Sequence, residues 1–143
     1  MKYFTIEELC QSEAAEKLGI DNIPTEEVKE NLTFFTEKML DPLRESWGSP
    51  IIVNSGYRCS ALNKAVGGSE TSVHPLGWGV DLWPKNGKIE EFKKHVIEFF
   101  KGKRWDQVIL EKSGKKVWVH IGLYNNAGKQ RCQIFKLETN QEN

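Results

Sequence analysis

The sequence predicts an α+β fold, a small and mainly antiparallel sheet with helices packed on it. Two observations predict it: three stretches repeat apolar residues at steps of three and four, and several short runs have the β-branched or alternating pattern of strands. The chain has 143 residues, enough for one core and too few for two ordinary domains. We therefore expect one domain over residues 1–143, with a polar tail from about residue 138.

Two helical patterns lie in the N-terminal third. "YFTIEELCQSEAAEKLGI" places Thr5 three residues before Glu8, the spacing of a capping box, and predicts a short helix that ends near Gly19. "PTEEVKENLTFFTEKMLDPLRESWG" predicts a long amphipathic helix that stops at Gly48. "KIEEFKKHVIEFFKGK" predicts a third helix of the same kind, in which His95 is solvated or half-packed.

The strand patterns follow the long helix. "PIIVNSGYR" predicts a strand that leads into a loop, and the segment from Gly77 to Trp83 predicts a second strand. "RWDQVILEKSGKKVWVHIGLY" is typical of a β-hairpin around a Ser-Gly turn. "QRCQIFKL" predicts a last strand, which the polar segment "ETNQEN" follows.

Composition excludes several classes of function. The 20 Lys and Arg residues equal the 20 Asp and Glu residues, so no overall field attracts nucleic acid or an anionic membrane. No apolar run is long enough to span a bilayer, and "MKYFTIEEL" lacks the apolar region of a secretory signal. We expect a soluble protein made in the cytoplasm. Its 3 cysteines, without C-x-x-C, argue against a disulfide framework or a thiolate zinc cage.

The strand period gives two readings of the segment before Trp83. Gly77, Gly79 and Asp81 share one face, and the large apolar residues between them share the other. Either the glycines clear a surface where a ligand approaches Asp81, or they permit a bulge and Asp81 caps a turn. The hairpin favours the first reading, because the alternation of "KKVWVHIG" places His120 on the face away from the core.

Two histidines and an aspartate beside such glycines form the ligand set of a catalytic zinc, which keeps its fourth position for water. The candidates are His74, Asp81 and His120. Metal-assisted hydrolysis also needs an acid or base near that water and a cation for the oxyanion. Glu111 and Arg58 are the candidates, although each alone would fit an exposed strand end or a surface salt bridge.

Four motifs carry a resemblance to a known family: "SGYRCSALNKAVGG", "SVHPLGWGVD", "DQVILE" and "WVHIG". Together they resemble the zinc D-Ala-D-Ala carboxypeptidase-like metallopeptidases. That group includes phage L-Ala-D-Glu endolysin peptidases and shares its fold with the hedgehog signalling domain. The similarity runs from "YFTIEEL" through "WVHIG", which is most of the chain.

The resemblance implies a role for each matching position. His74, Asp81 and His120 would hold one Zn²⁺, and Arg58 would bind substrate and steady the developing oxyanion. Gly79 stands where the family usually has alanine, a change that would enlarge the cleared face. The matched motifs imply substrate contacts at four further residues: Ser72, Tyr57, Asn63 and Gln107.

One position departs from the family. Several relatives carry the catalytic carboxylate three residues before the late histidine, where this chain has Val117. Glu111 is then the remaining base, and its reach depends on the hairpin register. A loop over residues 112–115 would leave it roughly 13 Å from the level of His120. We predict a loop over residues 112–117, which places Glu111 opposite Trp118 and diagonal to His120.

The implied function is zinc-dependent hydrolysis of peptide bonds in peptidoglycan. The cut would be that of a D-Ala-D-Ala carboxypeptidase or of an L-Ala-D-Glu endopeptidase. A monomeric phage or prophage endolysin, which acts on the cell wall after release, fits these expectations. An alternative is a non-catalytic zinc-containing binding module of the hedgehog type, for which Val117 is the sequence evidence. A third is a structural phage component with a vestigial site.

Overall fold

A five-stranded sheet forms the centre of the structure, a computed structural model that describes residues 1–139. Its strands are β1 (Ile51–Ser55), β2 (Gly79–Pro84), β3 (Gln107–Ser113), β4 (Lys116–Gly122) and β5 (Gln133–Thr139). Their order in space is β1-β2-β4-β3-β5. All neighbouring strands are antiparallel except β3 and β5, which are parallel. The predicted α+β class with a mainly antiparallel sheet is confirmed.

Within residues 1–139, six α-helices accompany the sheet: α1 (Ile6–Cys10), α2 (Glu13–Leu18), α3 (Glu26–Phe35), α4 (Asp41–Trp47), α5 (Ser60–Ala65) and α6 (Ile89–Phe100). A π-helical turn over Thr36–Leu40 joins α3 to α4, so the predicted long helix has one wider turn in its middle. It ends at Gly48 in the left-handed conformation, as expected. Helix α5 was not predicted, because its six residues are too few to show a helical period. Within the described residues, no helix has the length and apolar character needed to cross a membrane.

The single helix predicted near the N-terminus is wrong, because two short helices stand in its place. The hydroxyl of Thr5 accepts a hydrogen bond from the amide of Glu8, as the capping-box spacing suggests. The chain then leaves the helix at Gln11, and the Ser12 hydroxyl caps a new one by accepting from the amide of Ala15. Ser12, as the N-cap of a second helix, was therefore the sequence signal for the break, and the continuous helical period hid it.

One face of the sheet packs on the helices and the other carries the polar groups described below. The first face is formed by alternate residues of the strands, which meet the apolar side of α6. Burying each such side chain stabilises the fold by about 1.5–3 kcal/mol. The fully buried members include Val80, Leu82, Val108, Val119, Ile121, Phe92, Val96 and Phe100.

The second strand is shorter than predicted. It begins at Gly79, because Gly77 has a φ of +78° and ends a 3₁₀ helix over His74–Leu76. A β-carbon at Gly77 would also lie 3.1 Å from the carbonyl oxygen of Val28 on α3. Gly77 therefore serves a helix end and its packing on α3, and it takes no part in the face that carries Asp81.

The last strand begins and ends later than predicted, because it covers Gln133–Thr139 where "QRCQIFKL" predicted residues 130–137. It reaches Thr139, so residues 138–139 belong to β5 and not to a polar tail, whose remaining residues lie outside the described range.

An ion pair between Arg131 and Asp106, the charged clasp, anchors the start of β5. The Arg131 backbone amide, Nε and Nη2 all donate to the buried carboxylate of Asp106, at 3.1, 2.8 and 2.8 Å.

Candidate metal centre and active site

His74, Asp81 and His120 come together although they stand on three different elements. His74 opens the 3₁₀ helix, and Asp81 lies directly opposite His120 in the β2–β4 ladder. Asp81 Oδ1 is 2.9 Å from His120 Nδ1 and 3.5 Å from His74 Nε2. One ligand atom from each residue lies within 4.8 Å of the others, so the group could hold a metal ion.

The local fold fixes the orientation of His74. Its Nδ1 is 2.7 Å from the carbonyl oxygen of Gly56, a position in which Nδ1–H donates and Nε2 keeps its lone pair for the centre. The carbonyl is brought there by a close chain approach, because a β-carbon at Gly56 would lie only 2.1 Å from the Leu9 carbonyl oxygen. Gly56 is thus a functional position that the sequence interpretation missed, although the glycine of "SGYR" could have indicated it.

Burial and mutual charge dominate the electrostatics of the three residues. Their side chains are only 4% (His74), 13% (Asp81) and 10% (His120) exposed. Burial lowers the pKa of His74 and favours the neutral imidazole, the form that binds metals. Burial alone would raise the pKa of Asp81, but the adjacent His74 and His120 outweigh it and hold that pKa well below its usual value. The centre therefore offers the Asp81 carboxylate and the neutral imidazole of His74 near neutral pH.

Arg58 points its guanidinium at this group. Its Nη2 is 3.8 Å from Asp81 Oδ2, and its Nη1 donates to Asn63 Oδ1 at 3.1 Å. Its Nε is buried and has no hydrogen-bond partner among the described residues. Burial lowers its pKa while Asp81 and Glu111 raise it, and a guanidinium in such surroundings stays positively charged.

A tight backbone approach holds the Arg58 and Asn63 side chains in place. A β-carbon at Gly68 would lie 2.1 Å from Asn63 Oδ1 and 2.9 Å from Arg58 Nη1, so only glycine fits there. Asn63 is buried and its amide also donates to the Ser69 carbonyl oxygen at 3.0 Å. The amide that the resemblance assigned to substrate therefore orients Arg58. Gly68 is a second position that the sequence interpretation missed.

The hairpin register places Glu111 on the face of the metal group. Glu111 pairs with Trp118 and Ile109 with His120, so Glu111 is diagonal to His120. This part of the hairpin prediction is confirmed. The predicted loop over residues 112–117 is wrong, because pairing continues to Ser113 and Lys116 and leaves a turn of Gly114 and Lys115. A two-residue turn with a glycine at φ +61° preserves the same register.

Glu111 has the environment of a proton acceptor. Burial first, and then the charge of Asp81, raise its pKa, while Trp118 donates its indole N–H to Glu111 Oε2 at 3.1 Å. A carboxylate with a raised pKa takes up a proton more readily than an exposed one. The hydrogen bond also fixes which way the carboxylate points, a contact that the sequence interpretation did not include.

The other predicted contacts are differently placed. Tyr57 is only 7% exposed and packs in the core, and its role as a substrate contact stays a prediction. The Ser72 hydroxyl accepts from the backbone amide of His74 at 3.2 Å, a contact that supports the 3₁₀ helix. Gln107 lies on the same face of the sheet, opposite Gly122, and its amide donates to the Gln133 side chain at 2.9 Å.

Gly79 does not enlarge the cleared face as expected. A β-carbon there would lie 2.9 Å from Val73 Cγ2 and 3.2 Å from His120 Cε1. These neighbours occupy the space that the missing methyl group leaves. The glycine therefore lets the His120 ring lie close to β2 rather than leaving room for a ligand.

A cleft of about 1400 Å³ leads to the centre. Arg58 and Asp81 lie in its wall, together with Trp83, Trp118 and the whole of β1. Such a cleft is large enough for a peptide of several residues. Basic side chains at Lys115 and Lys116 line it on the hairpin side, and acidic ones at Glu8 and Glu13 on the side of α1 and α2.

Comparison with known proteins places these features in one family. Residues 2–122 match the family model described as Peptidase M15. No curated protein matches the chain. The matched range contains every residue of the metal group, together with Arg58 and Glu111.

Proposed function

Because the chain belongs to the peptidase M15 family, we propose that it is a zinc-dependent peptidase that hydrolyses peptide bonds of peptidoglycan. The observation that carries the proposal is the convergence of His74, Asp81 and His120 beside Arg58. That arrangement combines a three-ligand metal group with an adjacent cation, and Asp81 and Arg58 both line the cleft. Metal-assisted hydrolysis of an amide uses both.

The donor set fits zinc. Two imidazoles and one carboxylate are a common catalytic zinc set, and ligands about 2.0–2.2 Å from a tetrahedral ion stand roughly 3.3–3.6 Å apart. The 2.9 and 3.5 Å separations from Asp81 Oδ1 are close to that spacing. The hydrogen bond from His74 to the Gly56 carbonyl is the kind of outer contact that orients a metal-binding histidine.

In the proposed mechanism, a bound zinc ion would lower the pKa of its water toward about 7 and polarise the substrate carbonyl. Glu111 accepts a proton from the attacking water, for which its raised pKa suits it. Arg58 donates to the oxygen on which negative charge develops, through a guanidinium that Asn63 and Gly68 hold in place. Glu111 then gives the proton to the departing amine nitrogen.

The substrate class rests on the family and on the motif resemblance. A D-Ala-D-Ala carboxypeptidase and an L-Ala-D-Glu endopeptidase would use the same centre and differ in how the peptide lies in the cleft. The resemblance to phage L-Ala-D-Glu peptidases supports a phage or prophage endolysin. We propose that it works as a monomer with one zinc ion per chain.

Digestion of defined stem peptides tests the proposal. Zinc-loaded protein is incubated with synthetic stem pentapeptide and with intact peptidoglycan, and the products are identified by mass. Loss of one terminal D-Ala indicates a carboxypeptidase, whereas release of L-Ala from the remainder indicates an endopeptidase. The His120→Ala variant is the control for a contaminating peptidase. Intact substrates with the zinc-loaded protein would support the non-catalytic module instead.

A further inference from the structure

Strand β1 forms one edge of the sheet and lines the cleft with all of its residues. It pairs only with β2, so its other side has no strand partner among the described residues. The residues that line the cleft include Ile51, Ile52, Val53, Asn54 and Ser55. Free strand edges bind extended peptides readily, because they present unpaired backbone donors and acceptors.

The register shows which backbone groups face outward. Lys85 N donates to Pro50 O at 3.0 Å, a bond that flanks the pair of Ile51 with Pro84. In an antiparallel ladder, hydrogen-bonded and non-hydrogen-bonded pairs alternate. The pair of Ile51 with Pro84, which this bond flanks, is a non-hydrogen-bonded pair, so the next pair is hydrogen-bonded. Ile52 therefore bonds to Trp83, and Val53, one residue later, directs its N–H and C=O away from β2 and into the cleft.

The N-terminal helices and the turn between them line the same groove as β1: Glu8, Gln11, Ser12, Glu13 and Ala14. Arg58 and Asp81 line the same cleft. Ser55 pairs with Asp81, so β1 ends at the level of the metal group. A single extended chain in this groove would lead directly toward the proposed centre.

We propose that the outer edge of β1 is a binding site for an extended segment of the peptide substrate, which joins the sheet as an added strand. The Val53 N–H and C=O each form a hydrogen bond with the backbone of that segment. The added strand lies two strand spacings from β2, roughly 10 Å, so it holds residues about three positions from the scissile bond. This inference rests on the proposed function, since it assigns to the proposed active site a preference for peptides that extend about three residues beyond the scissile bond.

A matched pair of variants tests the protein side. Val53→Pro removes the outward N–H together with the packing of the valine side chain. Val53→Ala loses a similar amount of side-chain packing but keeps the N–H. Loss of one such hydrogen bond should weaken peptide binding about fivefold in Val53→Pro relative to Val53→Ala. Because Val53 does not bond to β2, both variants should fold, which circular dichroism and zinc stoichiometry check. Equal affinities in the two folded variants would overturn the inference.

N-methylated peptides test the same contact without altering the protein. The probe is the stem pentapeptide L-Ala-γ-D-Glu-L-Lys-D-Ala-D-Ala and forms of it with a single N-methylated amide, with affinity measured by calorimetry. N-methylation of one particular amide, which is remote from the scissile bond, should weaken binding about fivefold. Uniform affinities, or no measurable binding of the parent peptide, would overturn the inference. If the N-methylated peptides differ in affinity but no peptide is cleaved, the β1 binding site is supported and the proposed peptidase activity is refuted. If the peptides are cleaved but all bind equally, the peptidase activity is supported and the β1 binding site is refuted.

Discussion

Trp118 and Glu111 stand directly opposite each other in the β3–β4 ladder, and the indole N–H of Trp118 donates to Glu111 Oε2 at 3.1 Å. Trp118 lies two residues before His120 on the same face of the strand. One short segment of β4 therefore supplies both a proposed metal ligand and the group that orients the proposed base. Although Val117 carries no carboxylate, the site keeps a candidate base, because the neighbouring strand β3 presents the carboxylate of Glu111.

Replacing Trp118 by phenylalanine should impair catalysis while the metal group stays intact. The hydrogen bond stabilises the ionised carboxylate, so its loss should raise the pKa of Glu111 further. We expect kcat to fall about tenfold, the scale of one hydrogen bond to a charged group. The acid limb of the pH profile should move to higher pH. Trp83→Phe, which alters the same cleft at a residue without this bond, should leave that limb in place.

Glu111→Gln should abolish most activity and keep the metal. A general base contributes about 10²–10⁴-fold, so kcat should fall at least a hundredfold. The wild type should lose activity as the pH falls through the raised pKa of Glu111, because the protonated carboxyl cannot accept a proton. Zinc affinity measured by competition with a chelator should be near that of the wild type. A Glu111→Gln variant with ordinary turnover would remove Glu111 from the mechanism.

Gly68→Ala should act on Arg58 through Asn63. The added methyl carbon would stand 2.1 Å from Asn63 Oδ1, so the amide and the guanidinium must both move. Loss of one oxyanion donor elsewhere costs about 10²–10³ in kcat, and we expect a large part of that loss here. Steady-state kinetics would measure it, with the exposed Ser69→Ala as the neighbouring control. Wild-type kinetics in Gly68→Ala would show that Arg58 does not need this position.

The sequence predicted the parts of the site that depend on local periodicity. The alternation of β2 and β4 placed Asp81 and His120 on one face, and the register predicted for Glu111 was correct. Prediction from the sequence failed where the role of a residue depends on contact with a distant segment of the chain. Asn63 and Gly68 face Arg58 only because α5 turns the chain back, and Gly56 is pressed against Leu9 of α1. No spacing within a single motif records such contacts.

The charged clasp before β5 was also absent from the prediction, and it gives a test of the fold. Asp106→Ala leaves Arg131 without the carboxylate that receives three of its hydrogen bonds. Asp106 is 2% exposed and Arg131 is 42% exposed, so part of the interaction is screened. We expect a loss of about 2–3 kcal/mol in the free energy of unfolding.

Urea denaturation would measure the loss of stability in Asp106→Ala, and hydrogen exchange would locate it. Exchange should accelerate over residues 133–139, since β5 is the edge strand that the clasp anchors. Lys112→Ala, which removes an exposed ion pair with Glu138, should change stability by less than about 1 kcal/mol. If hydrogen exchange in β5 is unchanged in Asp106→Ala, the hydrogen bonds with β3 are enough to hold β5 without the interaction between Asp106 and Arg131.

Titration of the metal-free protein with zinc, with the release of amino groups from peptidoglycan as the readout, tests the central claim most directly. If His74, Asp81 and His120 hold one catalytic zinc ion, the rate should rise linearly to one equivalent per chain and then level off, and His120→Ala should stay inactive throughout. A rate that is zero at every zinc ratio, or that does not depend on zinc, would contradict the account.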